Sequence, residues 1–351
     1  MSGQARSAAA SQQAVRVTSA PPPDFAAVGI AVGHSTDDVG ATGLTVVRGL
    51  NGPMRAGVAV FGRATGSREL HAASPHHLVD GRIDAVLLSG GSAYGLDAAA
   101  GVMRWMEERG QGFSVGGGVV PIVPAAVVFD LAPLGRFDAR PTAQMAYDAA
   151  AGATSRDVRE GSVGAGTGAT VGKILGAQAA MKGGVGCVVE MSPDASLRVG
   201  AVVVVNALGD VRDASGRIIA GARTEHGGFA DTERVLRESA GTRAAGTSEA
   251  AALQNTTIAV VASSTPLTSV ELTQLARASG AALFRRITPA GTSVDGDTVF
   301  AVSPLGGTRP ALPIGVIEAL AASALGNAIE RAVRAAKGRD GIPGLADGHG
   351  N

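Results

Sequence analysis

The sequence predicts an α+β fold in which two β-sheets pack face to face between outer layers of helices, an αββα sandwich. Of the 351 residues, 45% are hydrophobic, which is enough to bury a large core. Short apolar runs of the kind that form strands outnumber the helix-like segments. The predicted helices are isolated elements between groups of strands, which is typical of sheets covered by helices on their outer faces.

Short apolar runs bounded by Gly, Ser or Asp predict the strands in the first two-thirds of the chain. These strands cover residues 28–32, 44–47, 57–61, 85–88, 119–128, 170–174, 185–191 and 199–205. A helix is predicted over residues 94–109, where apolar side chains fall on one face and Gly110 supplies a stop. Residues 142–151 form a second, shorter predicted helix.

The last third of the chain is predicted to begin with a buried strand over residues 256–262, which are apolar and rich in β-branched side chains. The elements predicted after it are a helix over residues 269–279, strands over residues 283–287 and 298–302, and a long helix over residues 313–337. An apolar stripe runs along the long helix, and Gly338 ends it.

Composition and charge argue against nucleic acids and membranes as partners. The formal net charge is zero, and aromatic residues make up 3% of the chain, too few for a base-stacking surface. No stretch is long and apolar enough to cross a bilayer. Residues 1–26 lack the apolar core of a signal peptide and are predicted to be a disordered lead-in. The single cysteine, Cys187, excludes an internal disulfide, and a cytoplasmic location fits these features.

Three familiar motifs fail on inspection. Residues 90–95 hold a serine between a strand and a helix, but Tyr94 stands where a nucleophile elbow needs glycine. Residues 164–169 match a dinucleotide fingerprint weakly, without a surrounding βαβ unit. The histidines show no metal-binding spacing, and Asp295-Gly296-Asp297 lacks the oxygen-rich surroundings of a metal turn. No metal or cofactor is predicted.

The junction between Asn255 and Thr256 carries the candidate chemistry. Residues 238–255 contain almost no large apolar side chain and are predicted to be a flexible linker that leads straight into the buried strand. A threonine hydroxyl needs a base, and the free α-amino group of an N-terminal threonine can be that base. Making this amine requires a cut before Thr256, which its own hydroxyl can start by attacking the preceding carbonyl.

Several segments, in the right order along the chain, resemble one family. They are Gly33-His34-Ser35-Thr36-Asp37 and residues 87–99, 120–126, 164–173, 203–206, 255–258 and 295–300. Through them the chain resembles the DmpA-type N-terminal-nucleophile aminopeptidases and amidases, which include the nylon-oligomer (6-aminohexanoate oligomer) hydrolases. The resemblance runs from about residue 28 to residue 336. It implies an Ntn-hydrolase-like αββα sandwich of the DmpA/ornithine acetyltransferase type.

The resemblance also implies autocleavage at Asn255-Thr256. The cut divides the domain into an α chain of residues 27–255 and a β chain of residues 256–351. It implies a catalytic group made of Thr256, Asn206, Lys173, Asp295 and Asp297. Asn206 can donate an N–H to the developing oxyanion, and the two aspartates can orient the ammonium and hydroxyl of Thr256. Lys173 can lower the pKa of the freed amine or hold an aspartate in place; alternatively, it forms a structural ion pair with one of the aspartates.

The expected function is hydrolysis of peptide or nylon-oligomer-like amide bonds through an acyl-enzyme on Thr256, without a cofactor. Tyr94 is a candidate for the substrate pocket, or else packs at the start of its helix. The resemblance implies oligomers of αβ heterodimers, often tetramers. Two alternatives stay open: an N-terminal-threonine acyltransferase of the ornithine acetyltransferase type, and an uncleaved, non-catalytic binding protein on the same scaffold.

Overall fold

A computed structural model describes residues 23–239, 255–309 and 311–349. The strands in these ranges are β1 (Ile30–Asp37), β2 (Thr42–Gly49), β3 (Met54–Val60), β4 (Ser67–Arg68), β5 (Arg82–Ile83), β6 (Ala85–Ser89), β7 (Phe113–Ser114), β8 (Val119–Val120), β9 (Ala125–Val127), β10 (Thr170–Val171), β11 (Met181–Lys182), β12 (Gly184–Met191), β13 (Arg198–Asn206), β14 (Asp210–Arg212), β15 (Ile218–Ala220), β16 (Thr256–Ser263), β17 (Ile287–Thr288) and β18 (Thr298–Pro304).

The α-helices in the same ranges are α1 (Ala99–Glu107), α2 (Ala143–Ala151), α3 (Thr232–Glu238), α4 (Ser269–Ser279), α5 (Ala281–Arg286) and α6 (Ile314–Arg334). Short 3-10 helices cover Phe25–Val28, Leu70–Ala73, Ser92–Ala98, Gly164–Gly166, Ala177–Ala179 and Leu345–His349. No helix among the described residues has both the length and the apolar character needed to span a membrane.

Two large sheets form the centre of the molecule. Within the described residues, one sheet has the strand order β1-β2-β6-β9-β4 and the other has the order β12-β13-β16-β18-β3-β5. Neighbouring strands are antiparallel except for the parallel pairs β6–β9 and β16–β18. The parallel pair β16–β18 matters for the site, because the starts of two parallel strands lie at the same edge of a sheet.

The two sheets pack face to face, and helices cover both outer faces. Valine and leucine side chains of β1, β2 and β6 meet those of β12, β13, β16 and β18 in the layer between the sheets. Helices α4, α5 and α6 cover the outer face of the second sheet, and α1 and α2 cover the first. The predicted αββα sandwich is therefore confirmed.

Strand β16 is buried on both faces, which explains why its sequence is a continuous apolar run rather than an alternating one. Ile258 and Val260 point into the layer between the sheets. Ala259 and Val261 point to the opposite face, where the helices pack. A strand of this kind is held on both sides, so its first residue, Thr256, is fixed in position.

One predicted strand is wrong. Residues 283–287 were expected to be extended, but Ala281–Arg286 forms helix α5, and only Ile287 continues into β17. The apolar run is too short for its periodicity to separate helix from strand. Contacts with α6 favour the helix, since Leu283 is buried in the helix layer and Arg286 pairs with Glu330 at 3.2 Å.

Several predicted boundaries also move. Residues 119–128 form two separate strands, because Pro121 and Pro124 lack the N–H groups that a continuous ladder needs. The predicted helix over residues 94–109 begins as a 3-10 turn and is α-helical only over Ala99–Glu107. The long helix ends at Arg334, before Gly338.

The two segments predicted to lack order are only partly described. The N-terminal lead-in was expected to reach residue 26, but Phe25 is fully buried in a 3-10 turn, because its ring packs on Gly200 of β13. Of the predicted linker over residues 238–255, Glu238 ends α3 and Asn255 is buried. Residues 1–22 and 240–254, which include most of both segments, lie outside the described residues.

Close contact between β12 and α6 depends on Gly186. A Cβ atom added there would lie 1.9 Å from the carbonyl oxygen of Ala328, so Gly186→Ala must push helix and sheet apart. We expect it to lower the free energy of unfolding by about 1–3 kcal/mol, measured by denaturant titration. Gly315→Ala, in open space at the start of the same helix, is the control. It should raise the free energy of unfolding by less than about 1 kcal/mol, because alanine favours the helix more than glycine does. Equal effects of the two substitutions would contradict this packing.

Candidate active site

The register of β16 brings the predicted site residues together. β16 is antiparallel to β13, which sets the last residue of β13, Asn206, opposite Thr256. β16 is parallel to β18, so the segment that precedes β18 runs beside the start of β16, and Asn255 forms a β-bridge with Asp295. Residues from distant parts of the sequence therefore meet at one edge of the sheet.

The peptide group between Asn255 and Thr256 has two hydrogen-bond donors on its carbonyl oxygen. The Thr256 hydroxyl contacts this oxygen at 2.5 Å, and the Gly296 N–H donates to it at 3.1 Å. Thr256 is buried, with 6% of its surface exposed. The hydroxyl thus lies against the carbonyl group that it would attack, and a backbone donor already points at the oxygen on which negative charge would develop.

The two aspartates shape the backbone around the junction. Asp297 accepts hydrogen bonds from the N–H groups of Thr257 at 2.6 Å and Gly291 at 2.9 Å. Asp295 accepts from the N–H and hydroxyl of Thr292, at 2.8 and 2.7 Å. Burial raises the pKa of Asp297, and the neighbouring Asp295 carboxylate raises it further. Among the described contacts, neither carboxylate bonds to the Thr256 hydroxyl; both hold the strand start and turn beside it.

The Asn206 side chain is held in one orientation. Its Oδ1 accepts from the Thr170 N–H at 3.0 Å and from the Lys173 ammonium at 3.1 Å. Its Nδ2 donates to the carbonyl oxygen of Phe129 at 3.0 Å. Asn206 is completely buried, so this orientation is well defined.

Lys173 bridges the side chain and backbone of Asn206. Its ammonium also donates to the Asn206 carbonyl oxygen, at 3.3 Å. Burial lowers the pKa of Lys173 to about 7, and the nearby Asp295 carboxylate opposes this shift. A lysine with this pKa exchanges a proton near neutral pH, so it can act as a base as well as a cation.

The described contacts of Tyr94 do not include any of these site residues. Its ring is half exposed and stacks under the Arg140 guanidinium, 3.4 Å from the ring centre, with Phe137 at its edge. None of the described hydrogen bonds links it to Thr256, and its place in a substrate pocket stays a prediction. Nor do the described residues contain a cluster of three or more His, Cys, Asp or Glu side chains that could hold a metal ion.

Sequence reasoning missed the residues that contribute to the site through their backbone groups. These are the Gly296 N–H on Asn255 and the Thr170 N–H and Phe129 carbonyl on Asn206. Any residue type has such groups, so composition carries no signal for them. Among these residues only Gly296 carries a signal in its residue type, because a Cβ atom there would lie 2.8 Å from the Thr256 hydroxyl.

The fold and the site together define a hydrolase of the N-terminal-nucleophile fold. The model of "Peptidase family S58" matches residues 27–344. The chain belongs to peptidase family S58, and it is a peptide or amide hydrolase.

Known relatives agree with this assignment, and a solved structure shares the fold. An uncharacterized aminopeptidase of Mycobacterium leprae is 44% identical over 276 residues, covering 75% of this chain and 71% of the relative. A 6-aminohexanoate-oligomer endohydrolase of a Kocuria species is 31% identical over 290 residues, covering 78% of this chain and 73% of the relative. The L-aminopeptidase D-Ala-esterase/amidase of Ochrobactrum anthropi, a variant of the Ntn-hydrolase fold, has a TM-score of 0.65 at 21% identity, over 92% of this chain and 90% of that one.

Proposed function

We propose that the chain cuts itself between Asn255 and Thr256 and then hydrolyses amide bonds with the freed Thr256 as its nucleophile. One observation carries the proposal: the Thr256 hydroxyl lies 2.5 Å from the oxygen of the Asn255 carbonyl, and the Gly296 N–H donates to the same oxygen. In this geometry the hydroxyl lies beside the carbonyl group, and an oxyanion donor is in place before any bond breaks. For the attack the hydroxyl gives up its hydrogen bond to the oxygen and turns toward the carbonyl carbon.

Self-cleavage proceeds through an ester. The Thr256 oxygen attacks the carbonyl carbon of Asn255, and the Gly296 N–H stabilises the negative charge on the carbonyl oxygen. The bond from that carbon to the Thr256 nitrogen then breaks, and the nitrogen takes up a proton. Water hydrolyses the remaining ester, which leaves an α chain ending at Asn255 and a β chain of residues 256–351 with a free N-terminal amine.

The first attack needs a base other than the Thr256 nitrogen. Before cleavage that nitrogen belongs to an amide and has no basic lone pair. Lys173 is the candidate, because its pKa of about 7 leaves much of it neutral at physiological pH and it is bonded to Asn206, the strand partner of Thr256.

After cleavage the same site acts on other amides. The freed α-amino group becomes the base for the Thr256 hydroxyl, and Asp295 and Asp297 balance its charge when it is protonated. The Gly296 N–H and the Asn206 side-chain amide stabilise the oxyanion, and water releases the acyl group. Short peptides and 6-aminohexanoate-type oligomers are the substrate classes suggested by the relatives, with Tyr94 at the pocket.

The processed chains are proposed to assemble as αβ heterodimers into a tetramer in the cytoplasm. The resemblance implies this assembly. An apolar groove with a volume of about 460 Å³ along α6, lined by Val316, Ala319 and Leu320, fits a contact between subunits.

Removing the Thr256 hydroxyl should abolish both reactions. Thr256→Val keeps the branched shape but has no nucleophile, so the chain should stay intact near 34.7 kDa on a denaturing gel and hydrolyse no amide probe. Thr257→Val is the matched control, because the buried Thr257 hydroxyl has no hydrogen-bond partner among the described residues. It should still give two fragments. Processing of Thr256→Val, or equal loss in both variants, would refute the assignment.

Gly296→Ala should slow self-cleavage. The added Cβ atom would lie 2.8 Å from both the Thr256 hydroxyl and the Ala64 carbonyl oxygen, so the loop must shift and carry its N–H away from Asn255. Losing an oxyanion donor costs about a hundredfold or more in rate. Cleavage is timed by gel densitometry, and Gly306→Ala, in open space, is the control. Cleavage of Gly296→Ala at the control rate would remove Gly296 from the mechanism.

The rate of self-cleavage should depend on pH through Lys173. Below its pKa of about 7 the amine is protonated and accepts no proton, so the rate should rise about tenfold per pH unit up to about 7 and then level off. The uncleaved chain is refolded from denaturant at each pH and sampled over time. Lys173→Met should lose this rise and cleave about a hundredfold more slowly or worse, while Lys337→Met, on the surface, should match the wild type. A flat profile for the wild type from pH 5 to 9 would exclude Lys173 as the base.

A further inference from the structure

A second lysine is buried behind the site without a place in the proposed chemistry. Lys182 of β11 has 1% of its surface exposed. Its ammonium donates to three carbonyl oxygens, those of Thr167 at 2.7 Å, Ala169 at 2.8 Å and Gly166 at 3.3 Å. All three donors of the ammonium therefore bind one turn of the backbone.

This turn, residues 164–169, is also fixed at its start. The N–H of Gly164 donates to the Thr36 hydroxyl at 2.8 Å, and the N–H of Ala165 donates to the Thr45 hydroxyl at 3.3 Å. Thr170, the next residue after the turn, donates its N–H to Asn206. The position of that N–H therefore depends on the Lys182 ammonium on one side and on two threonine hydroxyls on the other.

A buried carboxylate fixes the opposite side of Asn206. Asp130 accepts from the Gly91 N–H at 2.6 Å and from the Thr42 hydroxyl at 2.7 Å. It directly follows Phe129, whose carbonyl oxygen accepts from Asn206 Nδ2. Asp130 also packs against the turn, because a Cβ atom added at Gly168 would lie 2.7 Å from the Asp130 Cβ.

Thr170 and Phe129 together determine which way the Asn206 amide faces. A donor N–H lies at its oxygen and an acceptor carbonyl lies at its nitrogen. Turning the amide over would set N–H against N–H and oxygen against oxygen, which leaves two buried pairs unsatisfied. These two backbone groups therefore set the orientation together with the Lys173 ammonium, which also donates to Oδ1.

The two buried charges are costly in themselves. Burial lowers the pKa of Lys182 to about 7 and raises the pKa of Asp130 to about 6, and each group partly opposes the shift of the other. An apolar residue at either position would avoid that cost. Their positions supply a reason for them, because Lys182 binds the turn before Thr170 and Asp130 directly follows Phe129, and both Thr170 and Phe129 contact the Asn206 side chain.

We propose that Lys182 is a positioning residue for amide hydrolysis: its ammonium fixes the turn before Thr170, so that the Thr170 N–H holds Asn206 with its amide nitrogen toward the reacting carbonyl. The inference rests on the proposed role of Asn206 at Thr256. Lys182 touches neither substrate nor nucleophile and acts through Asn206.

The test is a double-mutant cycle on the full chain. Lys182→Met, Asn206→Ala and the double variant are compared with the wild type in hydrolysis of a dipeptide p-nitroanilide, with rates divided by the amount of processed β chain. Lys182→Met should lower kcat about tenfold or more and leave KM within about twofold. In the Asn206→Ala background the same substitution should change kcat by less than about threefold, because the residue through which it acts is gone. Lys337→Met controls for loss of a lysine charge and should be silent in both backgrounds.

An equal loss of kcat in both backgrounds, or a loss expressed only in KM, overturns the inference. Should Lys182→Met give no folded protein, or process too slowly to assay, Lys182→Arg enters the same cycle, with self-cleavage rates as a second readout. Arginine keeps the charge but cannot bring one nitrogen to all three carbonyls, so the same dependence on Asn206 is expected, and its absence overturns the inference. Failure of the proposed function is distinguishable, since Thr256→Val would then still hydrolyse the probe.

Discussion

The register of β16 between β13 and β18 is the constraint on which the site depends. A shift by one residue would turn Thr256 to the other face of the sheet and move Asn206 and Asp295 out of line with it. Both faces of β16 are buried, so the slipped register would also turn each apolar side chain into the layer opposite the one in which it packs. The large core of the sandwich therefore does more than stabilise the fold: it determines the position of one threonine to within a hydrogen-bond length of its own preceding carbonyl.

Much of this arrangement could be predicted from the sequence, and the reasons differ between elements. The continuous apolar run of β16 indicated a buried strand, and α4 was predicted with its observed bounds, where the structure shows a capping box formed by Thr268 and Glu271. Helix α5 was predicted as a strand because its apolar run is shorter than two helical turns. The site residues came from the resemblance, since side-chain types at Lys173, Asn206, Asp295 and Asp297 do not reveal which strands become neighbours.

The parts of the site that the sequence could not reveal are mostly backbone groups. The donor on the Asn255 carbonyl and the two groups that clamp Asn206 are peptide N–H and C=O groups. Their placement follows from the strand pairing, from the turn around Lys182 and from the Asp130 carboxylate, and none of these is a local property of the chain. Lys182 itself gave no signal, because a lysine in a glycine-rich stretch is more often a solvated surface residue than an internal cation.

In the proposed function, one site performs two reactions. Self-cleavage and hydrolysis of another molecule both need an acyl carbonyl beside the Thr256 oxygen with a donor at its oxygen. In the uncleaved chain Asn255 occupies that place, completely buried. Once it is released, the carbonyl of a substrate must enter the same place to meet the same Gly296 N–H. The groups that orient the first reaction, the chain's own cleavage, are therefore the groups that a substrate has to satisfy in every later one.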